Sequence, residues 1–274
     1  MSGFFKALFG SKKLKKQLAV AEPGKGLNCI AKSSTTNELI ICIPGIWKDR
    51  SDFIGQVITS APKGRYMFAG MILADVQAKD HVPLDFCPAD LNIPKAFEIA
   101  GQGKIPAEIL ARLREHSSVV YLHFPLDLPD QRERILKFTQ IIQSIGGIAV
   151  KVESAGVAHS WETWFARLSG TPFDVYCAGV ALIGDIGYYY SCGMHHFGVP
   201  ECEVPRSIPV AEAADLINRF NFWQIVEHPK LSPGHTFSLT QTAPHFRLSL
   251  EPDTRHDKED LFYNPHGIWR LNGI

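Results

Sequence analysis

The sequence lacks the features that would place it at once in a large functional class. No run of eighteen apolar residues occurs, so we expect no transmembrane helix. Lysine plus arginine and aspartate plus glutamate balance at 28 each, so net charge gives no general attraction to nucleic acid or membranes. No basic stripe with interleaved aromatic residues indicates a nucleic-acid groove. We therefore expect no nucleic-acid partner.

The motifs of the common nucleotide-binding and hydrolytic enzymes are also missing. There is no G-x-x-x-x-G-K-[ST], no G-x-G-x-x-G after a strand, no H-E-x-x-H and no G-x-S-x-G. The six cysteines follow no repeating framework, and we see no secretory signal. This combination predicts reduced thiols in a cytoplasmic protein and no cofactor.

The beginning of the chain differs in character from the rest. Residues 1–20 contain no acid, and their apolar and basic side chains include Phe4, Phe5, Leu8, Phe9, Lys12, Lys13, Lys15 and Lys16. A basic amphipathic stretch can lie on an anionic membrane, whereas a frayed tail is the alternative. We divide the chain into a basic leader, 1–28, with weak membrane contact as one hypothesis, and a single domain, 29–274, with 29–152 and 153–274 as candidate halves.

Apolar periodicity predicts an α+β fold, in which mixed or antiparallel sheets are flanked by helices. Two ferredoxin-like layers are one candidate arrangement. Predicted strands cover 39–44, 66–74, 119–124, 148–152, 174–186, 188–192 and 201–204, with a hairpin over 235–242 and 245–251. Predicted helices cover 49–60, 94–101, 105–116, 130–145 and 209–227, and a further helix is capped by Ser154. Residues 76–90 are predicted to form a loop.

The stretch 188–204 holds more chemically capable side chains than any other. Cys192, His195, His196 and Cys202 form a C-x2-H-H-x5-C pattern, and zinc binds thiolate and imidazole. A thiol beside histidines could also act as a nucleophile. The paired spacing of structural zinc sites is absent, however, and a tight hairpin with core thiols is the alternative. We predict no bound metal.

A second group of polar residues lies in 146–162. Lys151 and Glu153 share one face of a strand, and Ser154 and His159 follow at the turn into a helix. Histidine, glutamate and lysine together could perform acid–base chemistry. The alternative is a set of edge charges, a capping serine and a surface histidine. If both strand ends meet, His159, Cys192 and His195 share one surface patch; otherwise the two turns lie on opposite edges.

Two segments within these stretches resemble a bacterial family classed as domain of unknown function 4261. The segments read GIAVKVESAGVAH over 147–159 and CGMHHFGVPE over 192–201. The resemblance extends over about residues 39–251, and His196 stands where an asparagine is common in the family. It implies a cytoplasmic bacterial protein without an established activity. Members of such families are often found near secretion or toxin loci, which is the context that the resemblance implies.

Two functional hypotheses follow. The first is a soluble, non-enzymatic binding protein for another bacterial protein, such as an immunity or accessory protein of a toxin or secretion system. Its binding candidates are Lys151, Glu153, Ser154, His159, Cys192, His195 and His196. The alternative is an enzyme or metal-binding protein that uses Cys192, His195 and His196 with Lys151, Glu153 and His159. In that alternative His159, Cys192 and His195 are the catalytic candidates.

Overall fold

A computed structural model describes residues 38–274 of the chain, so the predictions for the leader lie outside it. The described residues form seven helices and two sheets, which confirms the predicted α+β fold. The helices are α1 Arg50–Thr59, α2 Ile93–Ala100, α3 Ala107–Leu113, α4 Leu128–Ser144, α5 Trp161–Leu168, α6 Pro172–Gly179 and α7 Val210–Glu227. Within 38–274, no helix has the length and apolar character needed to cross a membrane.

The first sheet contains seven strands in the order β2-β3-β4-β5-β1-β6-β7, and neighbouring strands are antiparallel. Its strands are β1 Glu38–Gly45, β2 Tyr66–Ala69, β3 Ile72–Asp75, β4 Asp80–Pro88, β5 Ser118–Pro125, β6 Val150–Val152 and β7 Val157–His159. β1 lies between β5 and β6, and its apolar run is at most 1% exposed. Burial on both faces explains why the run is continuous instead of alternating.

The four strands β4-β5-β1-β6 have the order and directions of a ferredoxin-like sheet. On the first face, Phe53 of α1 and Phe138 of α4 pack against Ile41 and other odd-numbered residues of β1. On the second face, Phe97 of α2 packs against Cys42. Helices therefore cover both faces of this central part.

The second sheet has the order β11-β12-β13-β10-β9-β8. Its strands are β8 Ala181–Gly184, β9 Tyr188–Cys192, β10 Glu201–Pro205, β11 Thr236–Phe237, β12 Phe246–Glu251 and β13 Ile268–Gly273. β10 runs parallel to β13, and α7 covers one face through Phe220 and Ile217. The parallel pair makes this order different from a ferredoxin-like layer. A short 3-10 helix, Met194–Phe197, connects β9 and β10.

Several predicted elements are wrong. Residues 66–74 do not form one strand, because Gly70, with a φ angle of +64°, and Met71 form a turn that divides the segment into β2 and β3. Residues 76–90 contain β4 and not a loop, because Val82, Leu84 and Cys87 supply buried side chains while Pro83 faces solvent and Pro88 ends the strand. Residues 174–186 do not form one strand, since α6 occupies the first part and β8 follows. Thr171 and Asp174 form a capping box at the start of α6, which fixes the helix there.

Ser154 does not cap a helix. It lies in the turn between β6 and β7, whereas Ser160 caps α5 and accepts a hydrogen bond from the Thr163 N–H at 3.2 Å. The reason is β7, a three-residue strand that the sequence pattern did not separate from the helix. Ser154 is thereby turned into the interior, where it is 1% exposed.

Candidate functional site

The C-terminal end of α6 brings two of the predicted histidines together. A helix end leaves carbonyl groups without partners inside the helix. His159 of β7 donates from Nε2 to the Ala178 carbonyl at 2.9 Å, and His196 of the 3-10 helix donates from Nδ1 to the Gly179 carbonyl at 3.3 Å. One cap thus comes from the first sheet and the other from the β9–β10 connection of the second sheet. We name this contact region between the sheets, formed by α6 with His159 and His196, the joint.

Burial fixes the protonation of both histidines. It lowers the pKa of His159 to about 4 and the pKa of His196 well below its usual value. Each ring is therefore neutral near pH 7, with its hydrogen on the nitrogen that faces a carbonyl. The Nε2 atom of His196 is left as an acceptor, and Ser154 Oγ donates to it at 2.8 Å.

The Ser154–His196 pair has the arrangement of a nucleophile, a base and a group that orients the base. Ser154 is 1% exposed and His196 is fully buried. A substrate cannot reach Ser154 Oγ in this conformation. In the structure as it stands, the hydrogen bond joins the β6–β7 turn to the 3-10 helix.

Gly193 permits the close approach of the 3-10 helix to α6. Its φ angle is +120°, and an added Cβ atom would lie 2.2 Å from the Gly179 carbonyl oxygen. Both observations exclude a side chain at this position. The glycine that precedes the histidine pair is therefore part of the same joint.

Glu201 holds the N-terminal end of the 3-10 helix. Its carboxylate accepts hydrogen bonds from Ser191 Oγ at 2.6 Å, from the backbone N–H groups of Gly193 and Met194 at 3.0 and 2.8 Å, and from Asn264 Nδ2 at 3.1 Å. Burial alone would raise the pKa of Glu201, but the nearby imidazole of His195 and these donors outweigh it, so the pKa is lowered. Glu201 is an ionised, internally bound carboxylate.

His195 lies beside this carboxylate and against His196. The two imidazole rings are 4.2 Å apart, and His195 Nδ1 is 3.6 Å from Glu201 Oε1, which is too long for a hydrogen bond. Among residues 38–274, neither ring nitrogen of His195 has a hydrogen-bond partner. His195 belongs to the joint by position and packing.

Cys192 and Cys202 do not have the properties of reactive thiols. Burial, together with the nearby carboxylate of Glu201, raises the pKa of Cys192 well above its usual value, and burial beside Glu203 does the same for Cys202. Cys202 packs with α7 in the core of the second sheet. In the part of the chain that the structure describes, no three histidine, cysteine, aspartate or glutamate side chains are placed to hold a metal ion.

Lys151 and Glu153 lie apart from the histidines. They form an ion pair on the second face of the first sheet, next to Cys42. Burial lowers the pKa of Lys151, but the charge of Glu153 outweighs it, so the pKa is raised and the lysine remains charged. The structure therefore splits the predicted binding set between this pair and the joint at α6.

The predicted surface patch of His159, Cys192 and His195 is an interior region instead. Their exposed fractions are 4%, 2% and 2%. Residues 252–267, between β12 and β13, help to cover this interior region. Leu261 packs on the first sheet, and Asn264 donates hydrogen bonds to Glu201 and to the Val199 carbonyl. Asn264 is fully buried. Sequence reasoning missed it, since a single asparagine in a polar segment carries no signal.

The second face of the first sheet is covered only in part. Helices α2 and α3 cover Cys42, Val119 and Tyr121, but the portion formed by β2, β3 and the start of β4 faces solvent. Register places one set of side chains together on this uncovered portion, which we name the open face: Met67, Ala69, Ile72, Ala74, His81 and Pro83. Met67 is 45% exposed and Ile72 is 42% exposed. Met71 and Val76, close by in the same hairpin, are also exposed.

A cleft of about 490 Å³ lies at the inner end of the open face. Its lining includes Pro83, His123, Glu38 and Arg134. His123 Nδ1 is 2.9 Å from Glu38 Oε2, and its Nε2 is 3.2 Å from Asp85 Oδ2. These polar groups border the apolar surface on the side nearer the centre of the sheet.

In comparisons with known proteins, no family model, no curated protein and no solved structure matched the chain. The resemblance of 147–159 and 192–201 to a bacterial family therefore remains a prediction from sequence.

Proposed function

We propose that this chain is a non-enzymatic protein-binding protein of the bacterial cytoplasm, an immunity or accessory protein of a toxin or secretion system. The open face supports the binding role. The resemblance to domain of unknown function 4261 supports the bacterial context.

The open face departs from what a solvated sheet normally presents. An antiparallel sheet with one face in water usually alternates apolar residues inside with polar residues outside. β2 and β3 instead alternate buried apolar residues, such as Phe68 and Leu73, with exposed apolar ones, such as Met67 and Ile72. Contiguous apolar surface on a folded protein marks a contact site, and methionine adapts readily to a partner.

The experiment is affinity capture from the native host with three versions of the full chain. These are the wild type, the double variant Met67→Lys and Ile72→Lys, and the control Ile186→Lys. Ile186 is 95% exposed in the β8–β9 turn, away from the open face. We expect a protein that is retained by the wild type and the control but lost by the double variant. Equal retention by all three versions, or retention of no protein by the wild type, would contradict the proposal.

The Ser154–His196 hydrogen bond favours a second candidate, a hydrolase whose serine becomes accessible when residues 252–267 move. A serine that is activated by a neutral histidine reacts with fluorophosphonates. Under the primary proposal, a fluorophosphonate probe leaves the wild type unlabelled. Labelling that is lost in both Ser154→Ala and His196→Gln would establish the enzyme instead.

A further inference from the structure

The free edge of the first sheet extends the open face. β2 is the terminal strand among the described residues, with β3 on one side and no strand on the other. An unpaired edge offers a row of backbone donors and acceptors to another chain. The position of this edge beside Met67 makes backbone and side-chain contacts available together.

Register identifies which backbone groups of β2 have no partner among residues 38–274. Residues opposite each other in an antiparallel pair alternate between hydrogen-bonded and non-hydrogen-bonded positions. The Val76 N–H donates to the Arg65 carbonyl at 2.9 Å, and Tyr66 pairs with Asp75. The bonded positions are therefore Arg65, Met67 and Ala69. The N–H and C=O groups of Tyr66 and Phe68 point away from β3.

β2 lacks most of the features that usually protect an edge. Lysine, proline, bulges and covering segments serve that purpose in other sheets. The sequence of β2 is YMFA, without charge or proline. By contrast, β7 at the opposite edge of the sheet is buried, and the edge strand β11 has two residues.

The surroundings of β2 and β3 are positively charged. Residues 60–80 contain the cations Lys63, Arg65 and Lys79 and the acids Asp75 and Asp80, and Arg134 and Lys137 of α4 add two cations beside these acids. The start of α1, which packs on β2, adds Asp49, Arg50 and Asp52, so the sum stays positive. The hydrogen bond from Arg65 lowers the pKa of Asp75, and Arg134 and Lys137 outweigh burial to lower that of Asp80 to about 2. Both acids are therefore ionised, and each already forms ion pairs with neighbouring cations. Lys63 and Lys79 are exposed, and neither forms an ion pair within 38–274.

We infer that the partner adds an extended, acidic segment as a further strand along β2, with apolar side chains against the open face. This inference rests on the proposed function and specifies the partner for it. Strand addition gives affinity through main-chain hydrogen bonds, while alternate side chains give specificity. A second copy of this chain would bring the same excess of cations to the edge, which disfavours self-pairing.

The test uses the full-length chain and two synthetic peptides, EVTVTVE and KVTVTVK, which differ only in the charge of their ends. Amide hydrogen exchange is followed residue by residue by NMR. In the free protein we expect fast exchange at Tyr66 and Phe68 and slow exchange at Met67 and Ala69. EVTVTVE at millimolar concentration should slow exchange at Tyr66 and Phe68 at least severalfold. KVTVTVK at low salt should not.

Two variants separate the contribution of apolar contact from the contribution of charge. Met67→Gln should abolish the protection by EVTVTVE, because it replaces an apolar side chain of the open face by a polar one of similar length without changing the charge. Lys63→Glu with Lys79→Glu should weaken EVTVTVE binding roughly tenfold and reverse the preference between the peptides. Added salt should weaken EVTVTVE binding to the wild type. Ile186→Lys serves as the control that leaves all of these results unchanged.

Several outcomes would overturn the inference. One is unprotected Tyr66 and Phe68 amides at millimolar EVTVTVE. Another is protection in the free chain that grows with protein concentration, which would assign the edge to a second copy. Protection independent of concentration would assign it to residues 1–37. If a captured partner depends on Met67 but leaves both amides exchanging freely in the complex, strand addition fails while the proposed protein-binding function stands.

Discussion

Lowering the pH from 7 to 5 should destabilise the fold through the histidines that cap α6. His159 and His196 are neutral in the folded protein because burial lowers their pKa values. In the unfolded chain both titrate near the usual histidine pKa of about 6.5. The unfolded state therefore binds more protons as the solution becomes acidic, and stability falls.

The size of the effect follows from His159. A pKa that falls from about 6.5 to about 4 on folding corresponds to about 3 kcal/mol between the two limits. The folded value is the lower one, so this contribution is fully present above pH 6.5 and is lost as the pH falls toward 4. About 2 kcal/mol of it is lost by pH 5. His196 acts in the same direction.

Glu201 and Asp80 do not contribute to the loss of stability between pH 7 and pH 5. The folded pKa of Glu201 is also lowered, so its contribution is present above its unfolded value and is lost only as the pH falls below about 4.5. Asp80 follows the same rule, with a folded pKa of about 2. A loss of stability between pH 7 and pH 5 therefore reports on histidines.

The assay is urea unfolding followed by tryptophan fluorescence at pH 7, 6 and 5. His159→Gln retains an N–H donor for the Ala178 carbonyl but cannot bind a proton in this range. It should lose about 2 kcal/mol less than the wild type between pH 7 and pH 5. His235→Gln, at an exposed position, should keep the wild-type dependence. The reasoning is refuted if His159→Gln and the wild type lose the same stability on acidification.

Three further predictions concern the same region. Asn264→Ala should lower the free energy of unfolding by about 2 kcal/mol in urea, because it leaves Glu201 short of a donor and the Val199 carbonyl unpaired; partly exposed Asn272→Ala should cost less than half of that. Gly193→Ala should cost at least about 3 kcal/mol, whereas Gly187→Ala, whose added methyl group meets no atom within 4 Å, should be nearly neutral; equal stability of the two variants would contradict the close packing at α6. Elemental analysis of the purified full chain should find no stoichiometric zinc, and about one zinc per chain, lost in Cys192→Ser, would show otherwise.

The parts of the fold that sequence could predict are those where one signal dominates. The run 39–44 was recognisable as a strand because burial on both faces selects apolar residues without interruption. In 174–186 two signals conflicted, since apolar β-formers continue through a segment that begins with a helix cap at Thr171. The cap determined the structure, and the apolar run divided into α6 and β8. Local capping chemistry therefore carried more information there than average hydropathy.

The candidate site shows a different limit. Its histidines stood out in the sequence because several chemically capable side chains lie close together. What they bind cannot be read from the sequence, since the partners of His159 and His196 are backbone carbonyls at the end of a helix in a segment whose apolar pattern predicts a strand. The open face was hidden for a related reason. Met67 and Ile72 look like ordinary strand residues until the extent of α2 and α3 over the sheet is known.

The central position of β1 has a consequence for synthesis of the protein. β1 leaves the ribosome first among the described strands, yet its main partner is β5, and Gly45 and Pro125 are about 80 residues apart. At typical translation speeds of roughly 5–20 residues per second, the apolar run waits on the order of ten seconds for its neighbour. During that time the nascent chain exposes LIICI as an unpaired strand. Slower elongation between residues 45 and 125 would therefore lengthen the period in which the nascent chain can aggregate or requires a chaperone.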